Sequence, residues 1–184
     1  MDGHAPHLLF GFMKSLKRIV PGAIAAFVAL GMILFFLIPT QTVLVVGTVK
    51  PDKTVLCTRM NDGEEWMISY VHSVNRRPVF DSLRIEGKGL RIVRSRFDAF
   101  GAGMPETSTP ENPLRTGTDG WLEYTVNRLV PDITIFVGRV AGHALHIKGR
   151  EIPFISLAEP GTALRFSVEK RSLYQTFNGR CVWK

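Results

Sequence analysis

Trp66 to Pro78 reads WMISYVHSVNRRP, and its first half decides the fold. Trp66, Ile68 and Tyr70 alternate with Met67, Ser69 and Val71, the period-2 pattern of a strand that can bury two aromatics and an isoleucine on one face. The alternation stops at His72-Ser73, where no turn or core rule asks for these residues. A second break of this kind is Phe97 to Pro105 (FDAFGAGMP), with two glycines and a proline at the end of another apolar run. The two breaks are expected to meet in one polar cluster at a rim, with His72 satisfying a backbone group of the glycine loop.

Outward from this stretch the turn signals are short and regular. Thr42 to Val49 and Thr54 to Thr58 read as strands joined over Pro51-Asp52, and Asn61-Asp62-Gly63 marks a turn before Trp66. Val79 to Ile85 pairs with Leu90 to Phe97 across Glu86-Gly87-Lys88-Gly89. Met104 to Asp119 has three prolines and no apolar period, and its middle is expected to be disordered. Strand patterns resume at Trp121–Asn127, Ile133–Val140, Ala144–Ile147, Glu151–Ile155 and Ala163–Val168. So many short strands at this spacing predict an all-β fold, an antiparallel β-sandwich or partly open barrel. Helix is expected only near the N-terminus, and Tyr174 to Lys184 has no readable pattern.

Ile19 to Ile38 (IVPGAIAAFVALGMILFFLI) carries no charge, and its length matches the roughly 20 residues that cross a bilayer core. Pro21 falls in the first turn, where its missing N–H costs least. Lys14, Lys17 and Arg18 precede the span, whereas Lys50 is the first basic residue after it. The positive-inside rule therefore keeps the N-terminus in the cytoplasm and exports the chain beyond Pro39. The chain divides into a cytoplasmic tail at 1–18, a transmembrane anchor at 19–38, an exported β-domain at 40–170 and a C-terminal tail at 171–184. A cleaved signal peptide starting from Met13 is the alternative, although the apolar stretch is long for one and no A-x-A site comes after it. Gly22, Ala25, Ala26 and Ala29 offer a small-residue face to another helix, or a plain anchor.

The formal net charge is +7, and removing tail and span leaves +5. A basic surface outside the cytoplasm points to anionic headgroups or an acidic partner rather than nucleic acid. Cys57 and Cys181 are the two cysteines. They form one disulfide, or Cys57 is a small buried residue in an apolar run.

Nucleophilic catalysis would use Ser73 with His72 or His143 as base and Asp81 or Asp119 as orienter. Adjacent residues on a strand point to opposite faces, so His72 serves Ser73 poorly. His143 and His146, three apart on a strand, diverge in the same way, and zinc needs three or four convergent ligands. Gly101-Ala102-Gly103 lacks the Lys-Ser or Lys-Thr and following helix of a phosphate loop. No cofactor, metal or catalytic set is expected. The binding candidates are His72, Ser73, Arg76, Gly101, Gly103, Met104, Pro105, Trp121, Asn127 and His143.

The ordered set Tyr70-Val-His-Ser-Val74, Pro78-Val79, Phe97 with Phe100-Gly-Ala-Gly-Met-Pro105, Asp119-Gly120-Trp121, Asn127-Arg128, Val137-Gly-Arg-Val-Ala-Gly-His143, Gly149, Ile152-Pro153 and Pro160-Gly161-Thr162 resembles the domain of unknown function family 1850. The resemblance covers about Val43 to Val168. It implies a small exported or membrane-anchored bacterial protein, commonly encoded beside the fused membrane subunit and TAXI-type receptor of tripartite ATP-independent periplasmic (TRAP) transporters. The implied role is accessory to transport, in the bacterial inner membrane with the β-domain in the periplasm. The segments before Met13 and after Val168 depart from the shorter family pattern. A different reading makes the domain a stand-alone binder of anionic small molecules or lipid headgroups through Arg76, Arg77, Arg94 and Arg96. A third makes it a hydrolase using Ser73.

Overall fold

A computed structural model describes residues 6–178 and Cys181, with the backbone alone for residues 6–20. Helix α1 (Pro6–Leu37) leads into two antiparallel sheets. The smaller is ordered β2-β1-β11-β8, from β1 (Gln41–Thr48), β2 (Lys53–Arg59), β8 (Asp132–Phe136) and β11 (Ala163–Arg171). The larger is ordered β10-β9-β3-β4-β5-β7-β6. It is built from β3 (Glu65–Val71), β4 (Pro78–Glu86), β5 (Gly89–Phe97), β6 (Leu114–Thr116), β7 (Leu122–Val130), β9 (Ala144–Ile147) and β10 (Arg150–Pro153). This is the architecture of a β-sandwich.

The core follows from the alternation. Trp66 and Ile68 on β3, Leu83 and Ile85 on β4, and Leu90 on β5 face Leu44, Val46, Leu164 and Phe166 of the other sheet, all at most 3% exposed. Trp66 stacks on Phe166 with ring centroids 5.5 Å apart. Burying side chains of this size is worth about 1.5–3 kcal/mol each, which outweighs the local turn preferences around them. Asp81 has the same parity as Val79 and Leu83, so the register places a carboxylate on the inner face, opposite Ile68 and Ser95.

The sandwich has two distinct ends. Met60 N–H donates to Thr42 O (3.1 Å) and Gly63 N–H to Ile85 O (2.8 Å), so the β2–β3 and β4–β5 turns lie beside the start of β1, where α1 enters. At the opposite end Val71 N–H reaches Ala141 O (2.7 Å), Val137 N–H reaches Thr162 O (2.9 Å) and Val49 N–H reaches Ala163 O (2.9 Å). The eight residues of β1 separate the two ends by about 25 Å at the usual strand rise.

Several expectations change. The stretch expected to be disordered is tied down: Asn112 Nδ2 donates to Thr125 O and Val126 O, both at 2.9 Å, Leu114 N–H donates to Ser108 Oγ at 3.0 Å, and β6 pairs with β7. Carbonyls freed by irregularity in β7 supply the partners that no apolar period announces. Strand β8 ends at Phe136, four residues short of the expected Val140, because Val137 bonds the turn at Gly161-Thr162 instead. Helix is not confined to the N-terminus, since α2 (Leu173–Asn178) comes after β11. Ser172 caps it: Gln175 N–H donates to Ser172 Oγ (3.1 Å) and Ser172 N–H to Gln175 Oε1 (2.9 Å), a capping box. Cys57 and Cys181 form a disulfide. Residues 1–5 of the expected tail, and residues 179, 180 and 182–184, lie outside the described residues.

Among the described residues no helix is long and apolar enough to cross a membrane. The side chains of Ile19 and Val20, the first two of the expected span, lie outside that description. Every residue from Pro21 to Thr40 is exposed.

Candidate functional site

The two breaks in alternation do meet, and Asn75 joins them. After β3 the chain turns back on itself: Arg76 N–H donates to His72 O (3.0 Å) and His72 N–H to Arg77 O (2.9 Å). Arg76 takes φ 55 within this turn, a backbone state that non-glycine residues seldom adopt. Asn75 projects from the turn to the end of β5, where its Nδ2 donates to Ala99 O and Phe100 O, each at 3.3 Å. Its Oδ1 accepts from Arg77 N–H at 3.0 Å. Gly101 is seated against this amide, because a Cβ there would lie 2.8 Å from Asn75 Nδ2. Arg77 adds a bidentate pair to Asp98, with Nε–Oδ1 at 3.0 Å.

The expected role of His72 is not what holds the cluster. Its Nδ1 accepts from Val74 N–H at 3.4 Å, within its own loop. A short loop favours local partners, and Asn75, three residues on, has the reach that His72 lacks. Ser73 is exposed, as is Gly103. The φ of +84 at Gly103 explains the glycine, and Met104 N–H closes the turn on Gly101 O at 2.9 Å. Met104 and Pro105 are half-buried beyond it.

His143 supports the third loop of this rim, residues 138–143, from inside. Its ring stacks on Phe154 (5.5 Å) and meets Tyr70 (5.6 Å), while Phe154 meets Phe166 (5.4 Å) and Phe166 meets Trp66 (5.5 Å). Burial holds the imidazole pKa below its usual value, and its Nδ1 is buried without a hydrogen-bond partner. Burial, then the nearby Asp81 carboxylate, pushes the Tyr70 phenol up to about 12. Asp81 itself is raised by burial, against a 2.6 Å hydrogen bond from Ser95 Oγ. Neither Asp81 nor Asp119 orients a base for Ser73: one faces Ser95 in the core and the other pairs with Arg96.

Trp121 and Asn127 lie away from the rim. Trp121 is on the outer face of the larger sheet, 5.6 Å from the Phe80 ring, with the Arg96 guanidinium 5.0 Å from its own centroid. Asn127, at φ 48, forms a bulge in β7 whose carbonyl and Oδ1 each accept from Arg91 Nη1 at 3.1 Å. The outer face carries an open trough of about 560 Å³ lined in part by Met67, Ser82, Arg94, His146 and Arg150, and continued by a second of about 280 Å³ reaching Phe80, Arg96 and Glu123. Its arginines Arg94 and Arg96 are already paired, Arg94 with Glu65 (3.2 Å) and Glu123 (3.6 Å), and Arg96 with Asp119.

The contact that sequence reading missed is Ser69 Oγ to His146 Nε2 at 2.7 Å, with Glu151 Oε2 4.0 Å from the other ring nitrogen. Ser69 is outward by parity, so the signal was present, but the pairing of β3 with β9 was needed to bring His146 to it. Glu151 is beyond hydrogen-bond reach, and Ser69 sits mid-strand between β4 and β9. The arrangement fastens one strand to its neighbour.

The fold is thus that of a sandwich whose larger sheet carries both the looped rim and the outer trough. Residues 67–154, which span nearly all of that sheet, match the family model described as domain of unknown function (DUF1850). The match covers a shorter range than the resemblance drawn from Val43 to Val168 and lies wholly within it. No curated protein and no solved structure matches the chain.

Proposed function

We propose that the chain is a membrane-anchored periplasmic accessory protein that docks a transporter component through the rim, with a TRAP-type solute uptake system as the transporter. The observation that carries this reading is the distribution of exposed apolar side chains. Among the described residues outside the two helices, Val71, Val74, Phe100, Phe136, Val140 and Ile155 are 39–80% exposed, and all lie at the end remote from α1. Leu129 and Ile38, the residue that follows α1, are the exceptions. Apolar groups gathered on one end of a folded domain, beside Arg76 and Arg139, mark a docking surface rather than scattered surface residues.

Two further features support the anchor and the compartment. Although α2 lies beside it, α1 stays exposed from Pro21 to Leu37, and an apolar helix left so exposed calls for an apolar surrounding. A disulfide across the domain fits an oxidising compartment. The test is co-purification in mild detergent, at native expression, with the fused membrane subunit and the TAXI-type receptor. Val140→Asp and Phe100→Asp should each abolish recovery of the partner without changing the thermal midpoint. Absence of both subunits from the wild-type eluate would remove the reading.

The trough favours a second reading, a binder of anionic small molecules at Arg94 and Arg96. Such a ligand has to displace Glu65, Glu123 and Asp119, so binding would fall steeply with salt. Affinity unchanged between low and high salt would count against it.

A further inference from the structure

We propose that α2 and the end of β11 form an interfacial foot: Tyr174 and Phe177 lie in the headgroup layer of the bilayer that holds α1, and Lys170 faces its anionic phosphates. The inference rests on the anchor reading above and adds a second, independent contact with the membrane. The capping box at Ser172 fixes the phase of α2. Thr176 is then fully buried, whereas Tyr174 and Phe177 are 56% and 70% exposed. Three residues apart on a helix, the two rings share one face.

This face is at the anchored end of the sandwich. Helix α2 packs against α1, and β11 pairs with β1 up to Gln41 and Arg171, next to the point where α1 enters the domain. Beyond α2, Cys181 is bonded to Cys57 within a buried cluster with Val43 and Val45, which holds the segment in place. Lys170 is exposed and lines an open hollow with Tyr174, its Nζ donating to Thr42 Oγ1 at 2.6 Å, while Glu169 on the same hollow is paired with Arg171 at 3.0 Å. Aromatic rings flanked by a cation, continuous with the exposed apolar surface of α1, match the chemistry of an anionic bilayer interface. Two rings are too few to hold a domain on a membrane alone. Together with α1 they fix its tilt, which keeps the rim turned away from the bilayer.

The experiment uses the full chain in vesicles of phosphatidylcholine and phosphatidylglycerol, with an environment-sensitive fluorophore on Phe177→Cys and, separately, on Val140→Cys. Tyr174→Cys serves as a second foot position if the first variant misfolds. The foot label should be blue-shifted and quenched several-fold more than the rim label by a lipid bearing a nitroxide at its headgroup. Lys170→Glu should reduce that quenching in the anionic vesicles. Equal quenching at foot and rim, in a chain that resists carbonate extraction, overturns the foot and leaves the anchor standing. A foot label shielded from water but not quenched by lipid assigns the surface to a protein contact and also overturns the foot. Extraction by carbonate overturns both.

Discussion

Replacing Gly101 by alanine tests the joint between the two loops through the sign of its effect. Gly101 is outside the left-handed region, so alanine is conformationally admissible and restricts the unfolded chain, a gain of about 0.4–1 kcal/mol. In the native loop its Cβ would lie 2.8 Å from Asn75 Nδ2 and 3.3 Å from Asn75 Cβ. The amide must move, and with it go the bonds to Ala99 O, Phe100 O and Arg77 N–H. At the lower end of the usual 0.5–1.5 kcal/mol each, since the site is largely exposed, the three are worth about 1.5–2 kcal/mol. The net effect of Gly101→Ala is a loss of about 1 kcal/mol. In the Asn75→Ala background those bonds are already gone and the amide is absent, so the same substitution should become neutral or stabilising. The double-mutant cycle, measured by urea unfolding of the full chain in detergent, should show coupling of about 1–2 kcal/mol. Additivity within about 0.5 kcal/mol, the behaviour of independent sites, would refute the joint.

Other outcomes concern the titrating groups and the crosslink. Asp81 has a folded pKa above its ordinary value, so the native state holds the proton longer than the unfolded chain, and stability should fall as pH rises from the ordinary aspartate value through the raised folded one. Asp81→Asn should flatten that part of the stability profile and raise the thermal midpoint at neutral pH. For His143 the sign reverses: its folded pKa is lowered, the unfolded chain binds the proton first, and stability is lost as pH falls through about 6.5. His143→Phe keeps the ring on Phe154, removes a buried unpaired nitrogen and should abolish that acid loss without lowering stability at pH 8. Paired Cys57→Ser and Cys181→Ser substitutions reopen a loop with a sequence separation of 124. The loop-entropy relation puts the cost at about 5 kcal/mol, and a denaturant midpoint unchanged from wild type would contradict it.

The sheets were legible because their physics is local and repetitive. Trp66, Ile68 and Tyr70 announce a buried face by parity alone, and the turns at Asn61-Asp62-Gly63 and Glu86-Gly87-Lys88-Gly89 carry their own chemistry. The rim was legible as a place and not as a mechanism. Its breaks in pattern were visible, but whether His72 or Asn75 made the joint depended on which side chain the tertiary fold aimed at the glycine loop. Asp81 could have been read as inward from its parity with Val79 and Leu83. The pairing of Ser69 with His146 crosses 77 residues, and no local rule brings it about. Helix α2 escaped because six residues are too few for a period to show, although Ser172 and Gln175 are a capping pair three apart.

The disulfide also alters what a cut in the backbone can do. Cys57 and Cys181 enclose the whole of residues 67–154 in one covalent ring, including the irregular segment between β5 and β6. A single cleavage in that segment opens the ring without releasing a fragment, because both halves remain joined through sulfur. A protein nicked there keeps the rim tethered to the end that carries α1, runs at full mass until reducing agent is added, and only then separates into two pieces.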